Sequence, residues 1–130
     1  MISQKPIRIL AVDDNEVNLF LIRTIILKIY PKAKIIPAKT GEDSIEIFQK
    51  STNLDLILMD LQLPGINGYE ASKMIKEIAK NNPVPIVALS ANKMEDMMSK
   101  GKLAGIDDFL SKPILPEPTE RILKKYILNK

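Results

Sequence analysis

The sequence predicts an α/β fold, a doubly wound five-stranded parallel sheet covered by five helices. One sequence pattern and one general rule predict it. Short apolar segments rich in β-branched residues alternate with longer segments of helical periodicity, and this alternation is typical of a parallel sheet with helices on both faces. Right-handed crossovers then restrict the connectivity to a doubly wound sheet. The 130 residues suit one domain, residues 1–130.

In the first half of the chain, the pattern predicts three strands and two helices. The strands cover residues 7–12, 34–38 and 54–59, and the third ends at Asp60. The helices cover residues 16–29, which Pro31 terminates, and residues 40–49. Pro37 lies within the second strand and indicates that this strand forms an edge of the sheet.

The second half of the chain begins with turn residues over 63–68. A helix is predicted over 69–80 and a strand over 85–89, which ends at Ser90. A Met-rich helix over 94–102 follows, then a short strand over 108–110 that ends before Lys112. The last helix is predicted over 118–128.

The composition excludes several classes of function. A net charge of +3 with scattered basic residues gives no reason to expect nucleic-acid binding by this domain. The absence of Cys excludes disulfides, and the absence of His removes the usual general base, so any metal must be a hard ion held by oxygen. No apolar run reaches transmembrane length and no leader pattern opens the chain, so we expect a cytoplasmic domain without membrane contact.

Polar side chains follow four of the predicted strands. Asp13 and Asp14 follow the first strand, Asp60 the third, Ser90 the fourth and Lys112 the fifth. Ligands of open α/β sheets bind at the carboxyl ends of the strands, so we expect these side chains to converge. Carboxylates so close together repel one another and need cations, which a divalent ion such as Mg²⁺ and the lysine supply. This set suits phosphoryl transfer to a carboxylate nucleophile.

Each of these residues also has a structural explanation: a helix cap for Asp14 or Asn15, a solvated loop for Asp60, a cap of the fourth helix for Ser90, and a solvated cation for Lys112. Their joint occurrence at the strand ends favours the functional interpretation. Asp107 and Asp108 form a second acidic pair, but at the amino end of a strand, and we expect them to be structural.

Four stretches carry a family resemblance: VDDNEVN from Val12, ILMDLQLPGINGYEA from Ile57, PIVALSAN from Pro85 and AGIDDFLSKP from Ala104. In order and spacing, the chain resembles the receiver domain of response regulators in two-component phosphorelays, most like receivers of hybrid sensor histidine kinases. The resemblance implies a flavodoxin-like sheet of order 2-1-3-4-5, a histidine kinase or histidine-phosphotransfer partner, and a monomer or weak dimer. It also implies that the domain catalyses its own phosphorylation and the slow hydrolysis of the resulting aspartyl phosphate.

The resemblance also implies roles for individual residues. Asp60 matches the phosphoacceptor, while Asp13 and Asp14 match the acidic pair that holds Mg²⁺ with Asp60, and Gln62 matches the position whose backbone carbonyl completes that metal site. Other matches are the switch pair, Ser90 and Phe109, and the phosphate-pairing Lys112, which the family joins to Pro113 by a cis bond. Ser90 replaces the commoner Thr and keeps the hydroxyl.

The first helix carries apolar residues on two faces. Helical spacing predicts that Leu21, Ile22, Ile25 and Ile29 face the sheet, and that Phe20 and Leu27 lie opposite with Glu16 and Arg23. Phe20 and Leu27 either pack against a neighbouring helix or form a partner-docking patch, the use that the resemblance implies. Around Leu115 the chain lacks the family's polar cap, and Thr119 replaces an apolar residue, so a late or frayed start of the last helix is expected.

Three rival functions share parts of this pattern. A flavodoxin needs a phosphate-cradling loop where Asp13 and Asp14 stand, and a haloacid-dehalogenase-type phosphatase needs an Asp where Gln62 stands. A receiver that only docks and no longer accepts phosphate stays open as an alternative. A phosphorylation assay distinguishes this docking-only receiver from one that accepts phosphate.

Overall fold

The computed structural model describes residues 6–51, 53–80, 83–92 and 104–128. The strands in these ranges are β1 (Ile7–Val12), β2 (Ala33–Ala38), β3 (Leu56–Asp60), β4 (Ile86–Ser90) and β5 (Asp108–Ser111). They form one parallel sheet in the order β2-β1-β3-β4-β5. The predicted fold class and strand order are confirmed, and β2, the strand with Pro37, lies at an edge.

The helices in the described ranges are α1 (Glu16–Ile29), α2 (Gly41–Lys50), α3 (Gly68–Ile78) and α4 (Pro116–Leu123), and a π-helical turn, Lys124–Leu128, continues α4. The predicted helix over 94–102 lies outside the described residues. Within the same ranges, none of the helices combines the length and apolar character needed to cross a bilayer.

Short polar side chains fix where the first three helices begin. The side chains of Asn15, Thr40 and Asn67 each accept a hydrogen bond from the N–H three residues further on, at 3.0–3.1 Å. In α3, Glu70 also accepts from the N–H of Asn67 at 3.3 Å, which completes a capping box. The cap of α1 is therefore Asn15, and Asp14 is not needed for that structural role.

The expectation of a late or frayed start for the last helix is wrong. The helix α4 begins at Pro116, two residues before the predicted start, without a side-chain cap from Leu115. Proline costs little in the first turn, where N–H groups have no intrahelical acceptor. Thr119 fills its buried position because its hydroxyl donates to the carbonyl of Leu115 at 2.8 Å.

The sheet has an apolar core on each face. Alternate residues of β1 divide between the two, with Leu10 and Val12 on one side and Ile7, Ile9 and Ala11 on the other. The first core packs beneath α2 and α3, and the second beneath α1 and α4. Both faces of the sheet are thereby covered, so its carboxyl edge is held in a rigid frame.

The inward face of α1 differs slightly from the prediction. Ile22 and Ile25 are buried as expected, while Leu21 and Ile29 are only half-buried. Ile26, which the predicted stripe omitted, is fully buried. The helix is therefore rotated toward the side of Ile26, since that residue lies next to Ile22 on the helix surface.

Candidate functional site

The hydrogen-bond ladder of the sheet continues past the strand ends and positions the predicted site residues. The N–H of Asp13 donates to the carbonyl of Ala38 at 3.0 Å, and the N–H of Lys112 donates to the carbonyl of Ser90 at 2.8 Å. Asp60 is the last residue of β3 and pairs with Leu89 of β4. Backbone pairing thus fixes these residues at one edge of the sheet, as the sequence predicts.

Three carboxylates meet at this edge. Oxygens of Asp13, Asp14 and Asp60 all lie within 4.8 Å of one another. Asp13 and Asp60 are buried, with 0% and 2% exposure, whereas Asp14 is exposed to solvent. The site therefore has a deep wall of two carboxylates and an open side with the third.

The backbone partly satisfies the two buried carboxylates. One oxygen of Asp13 accepts from the N–H of Asn15 at 2.9 Å, and one oxygen of Asp60 accepts from the N–H of Gln62 at 3.0 Å. The second oxygen of Asp13, Oδ2, has no hydrogen-bond partner among the residues that the structure describes. A buried carboxylate oxygen without a partner is costly, and so it indicates a site for a cation or a donor.

Lys112 supplies the positive charge of the site. Its Nζ lies 2.8 Å from Oδ2 of Asp60 and 3.5 Å from Oδ2 of Asp13. Lys112 directly follows β5, and its peptide bond to Pro113 is cis, as the resemblance implied.

Burial and neighbouring charges shift the pKa values of Asp60 and Lys112. Burial raises the pKa of Asp60 and the charge of Asp13 raises it further, while Lys112 and the N–H of Gln62 only partly offset the rise. Burial alone lowers the pKa of Lys112, but the two carboxylates outweigh it and raise that pKa above its usual range. The lysine is thus held charged beside a carboxylate that is short of positive charge.

These donors fit a hard divalent cation. All three groups offer carboxylate oxygens, and Oδ2 of Asp13 has no hydrogen-bond partner among the described residues, although Lys112 lies 3.5 Å away. Within the described part of the chain, Lys112 offsets one of the three negative charges. Carboxylates and water are the ligands of Mg²⁺ in proteins. Gln62 lies two residues beyond Asp60 with its side chain exposed, and the role of its carbonyl as a ligand stays a prediction.

The predicted switch residues flank the acidic cluster on the next two strands. Ser90 is buried at the end of β4, and its Oγ accepts from the N–H of Asn92 at 3.0 Å. Phe109 is buried in β5, within the core beneath α2 and α3.

The second acidic pair, Asp107 and Asp108, has structural partners. One oxygen of Asp107 accepts from Nζ of Lys76 and from the N–H of Ile86, both at 2.8 Å. Asp108 accepts from Lys125 at 3.1 Å and from the hydroxyl of Tyr126 at 3.0 Å. These carboxylates tie α3 and the π-helical turn to the sheet and are not members of the acidic cluster.

Sequence reasoning missed two contacts at the site. A Cβ added to Gly68, the first residue of α3, would lie 2.2 Å from the carbonyl oxygen of Asp60. The turn-rich run before α3 was a signal for a glycine there, but not for this contact. Lys39, just after β2, forms an ion pair with Glu16 of α1 at the same edge.

The proposed docking residues differ in exposure. Phe20 is 70% exposed, so packing against a neighbouring helix does not explain it. Leu27 is half-buried and packs against the core beneath α1. Both side chains line one groove, and their role in docking stays a prediction.

Comparison with known families agrees with this geometry. The profile of the response regulator receiver domain matches residues 9–125. This chain belongs to the response regulator receiver family. The match covers nearly the whole chain. The chain is 34% identical, over 98% of its length, to the sensor protein GacS of Pseudomonas syringae, but it spans only 14% of that relative. It spans 82% of the two-component response regulator ORR11 of rice, at 28% identity over 94% of this chain.

Two solved receiver structures are similar to this domain. One is the receiver of Ssk1 from Saccharomyces cerevisiae, in complex with the histidine phosphotransfer protein Ypd1 (TM-score 0.83, 32% identity, 93% of this chain and 88% of that chain). The other is the receiver of the sensor histidine kinase PA1611 from Pseudomonas aeruginosa, with a magnesium ion in its active-site cleft (TM-score 0.82, 31% identity, 95% and 98% covered). The family assignment made from the sequence is confirmed.

Proposed function

We propose that Asp60 accepts a phosphoryl group from a phosphohistidine, in a step that requires Mg²⁺ and changes the conformation of the domain. The observation that carries this proposal is the convergence of three carboxylates within 4.8 Å, with Lys112 paired to Asp60 at 2.8 Å. A carboxylate in a solvated loop would be neither buried beside two other carboxylates nor paired with a lysine, so the structural explanation for Asp60 is not favoured. The magnesium ion in the PA1611 receiver supports the choice of metal.

In the proposed reaction, an oxygen of Asp60 forms a bond to phosphorus while the P–N bond of phosphohistidine breaks and its electron pair stays on the ring nitrogen. Asp13, Asp14 and Asp60, with the carbonyl of Gln62, would hold Mg²⁺, which neutralises phosphoryl charge when bound. Lys112 exchanges part of its pairing with Asp60 for a phosphoryl oxygen, and its raised pKa keeps it charged for that role.

Ser90 and Phe109 are the proposed readout of phosphorylation. The hydroxyl of Ser90, whose oxygen accepts from the N–H of Asn92, donates its proton in a hydrogen bond to a phosphoryl oxygen. The movement of Ser90 opens space at the end of β4, and Phe109 follows by packing alone because it has no hydroxyl.

The proposed phosphodonor is a histidine kinase or a histidine-phosphotransfer domain, which docks on α1 through Phe20. The pairing of the Ssk1 receiver with Ypd1 supports this class of partner. An aromatic side chain that is 70% exposed beside the acidic site is suited to contact a partner. The cytoplasm stays the expected compartment, and no nucleic acid or membrane contact is part of the proposal.

Intact-mass spectrometry tests the acceptor. Wild-type protein incubated with acetyl phosphate and Mg²⁺ should gain one phosphoryl group, and Asp60→Asn should gain none. EDTA should abolish the gain in the wild type. Equal labelling of the two proteins would remove Asp60 as the acceptor, and a wild type that stays unlabelled with both acetyl phosphate and a phosphohistidine donor would favour the docking-only alternative.

A further inference from the structure

A groove runs between α1 and the edge strand β2. It encloses about 790 Å³ and has apolar walls, formed by Leu19, Phe20 and Leu27 from α1 and by Ile35 and Pro37 from β2. Most of the side chain of Phe20 faces solvent at the rim of the groove. A concave apolar surface of this size is suited to receive several side chains from a partner.

Basic residues surround this apolar groove. Arg23, Lys34 and Lys39 line it together with one acid, Glu16, whose ion pair with Lys39 cancels one of the three positive charges. Among the described residues, no carboxylate forms an ion pair with Arg23 or Lys34. The groove therefore presents two uncompensated positive charges beside apolar walls.

The charge bias extends over the whole of this region. Residues 17–39 contain no Asp or Glu, although the chain has 16 such residues, and they contain five basic residues: Arg23, Lys28, Lys32, Lys34 and Lys39. Apart from Glu16, the first residue of α1, these residues form α1, β2 and their connection, which are the elements that build the groove. Basic residues therefore outnumber acidic ones on these elements, in contrast to the carboxylate cluster at the adjacent sheet edge.

We propose that this groove binds an acidic amphipathic helix of a protein partner. Apolar residues spaced by four would enter the groove beside Phe20 and Leu27, and flanking Asp or Glu side chains would pair with Arg23 and Lys34. The six residues of β2 extend over about 20 Å, which matches about 13 residues of helix. Phe20 lies both in this groove and in the proposed contact with the phosphodonor. The helix-binding proposal therefore deepens the proposed function and rests on it at this residue.

The concave shape favours a helix over other anionic partners. A membrane surface or a nucleic acid would use the basic residues but leave the apolar walls of a groove unfilled. A helix fills the groove with apolar side chains and meets the charges at its rim, so that both observations are explained by one occupant.

Two synthetic 16-residue peptides test this inference. Both carry Leu at positions four apart, and they differ only in flanking Glu or Lys residues. NMR titration of the unphosphorylated domain should show saturable binding of the acidic peptide, with shifts at Arg23, Leu27 and Ile35, and no saturable binding of the basic one. Lys34→Glu and Arg23→Glu should each weaken binding about tenfold. The matched control is Lys73→Glu on α3, an exposed residue on the other face of the sheet, which should leave affinity unchanged.

Three results would overturn the inference: equal affinity for both peptides, no shift in the groove residues, or an equal loss in the α3 control. Sedimentation with phosphatidylserine vesicles provides a further arm. If vesicles bind in a manner that requires Lys34 while the acidic peptide does not bind, the surface contacts a membrane instead. Acetyl phosphate labelling of the same samples keeps the two proposals apart, because peptide binding does not depend on Asp60 and labelling does not depend on Lys34.

Discussion

Gly68 offers a direct test of how closely α3 is fitted against the acceptor peptide. A Cβ at this position would lie 2.2 Å from the carbonyl oxygen of Asp60 and 2.8 Å from Cα of Leu61. Both atoms belong to the backbone, so neither can rotate away as a side chain would. Since non-bonded carbon contacts are ordinarily near 3.5 Å, Gly68→Ala must displace α3 or the Asp60 peptide by about 1 Å.

Two effects of Gly68→Ala oppose each other. Helix propensity favours Ala over Gly by about 1 kcal/mol, so an unobstructed site would be stabilised. Overpacking of a rigid site costs about 1–3 kcal/mol, and here the contact is with backbone on a central strand, which places the cost at the upper end. We therefore expect a net loss of about 1–2 kcal/mol in the free energy of unfolding.

The same displacement should impair the site beyond its effect on stability. A misplacement of about 1 Å costs up to about 100-fold in a positioned reaction, so labelling by acetyl phosphate should slow by one to two orders of magnitude at a temperature where the variant is fully folded. Urea unfolding and the labelling rate measure the two effects separately.

Ser72→Ala is the matched control in the same helix. Its hydroxyl is buried and has no hydrogen-bond partner within the described ranges, so removing it should leave stability equal or higher and the labelling rate unchanged. A Gly68→Ala variant that is more stable than wild type and labels at the wild-type rate would refute the close fit between α3 and the acceptor peptide.

Three further outcomes are expected. Asp14→Ala should weaken Mg²⁺ binding at least tenfold by titration, whereas Asp107→Ala should leave it unchanged and lower the melting temperature, because Asp107 bonds Lys76 and the sheet. Ser90→Ala should accept phosphate but lose the phosphorylation-dependent NMR shifts around Phe109; full retention of those shifts would break the proposed coupling. Phe20→Ala should slow phosphotransfer from the protein donor at least fivefold and leave acetyl phosphate labelling intact; loss of both rates would assign this side chain to the core.

Local patterns predicted the elements that build the site. The bounds of β1 and α1 match the sequence prediction. The β-branched run marks both ends of the strand, and the polar residues after it mark the start of the helix. The convergence of Asp13, Asp60, Ser90 and Lys112 followed from topology, since parallel strands bring their carboxyl ends to one edge.

Contacts between elements were outside the reach of these patterns. The half-burial of Leu27 depends on how α1 sits over β2, and the fit of Gly68 against Asp60 depends on where α3 enters the sheet. The start of α4 was misjudged because a missing cap was given more weight than two prolines that suit a first turn. The pairing of Asp13 with the N–H of Asn15 likewise depends on the turn that follows β1.

The most direct test of the central claim is the position of the phosphoryl group itself. Borohydride reduces an aspartyl phosphate to homoserine, and trypsin then releases residues 51–73, a peptide with the three carboxylates Asp55, Asp60 and Glu70. After labelling with Mg²⁺, tandem mass spectrometry should locate homoserine at position 60 and nowhere else in the chain. Homoserine at position 13, 14 or 55, or the reduction product of a glutamyl phosphate (5-hydroxynorvaline) at position 70, would contradict the account.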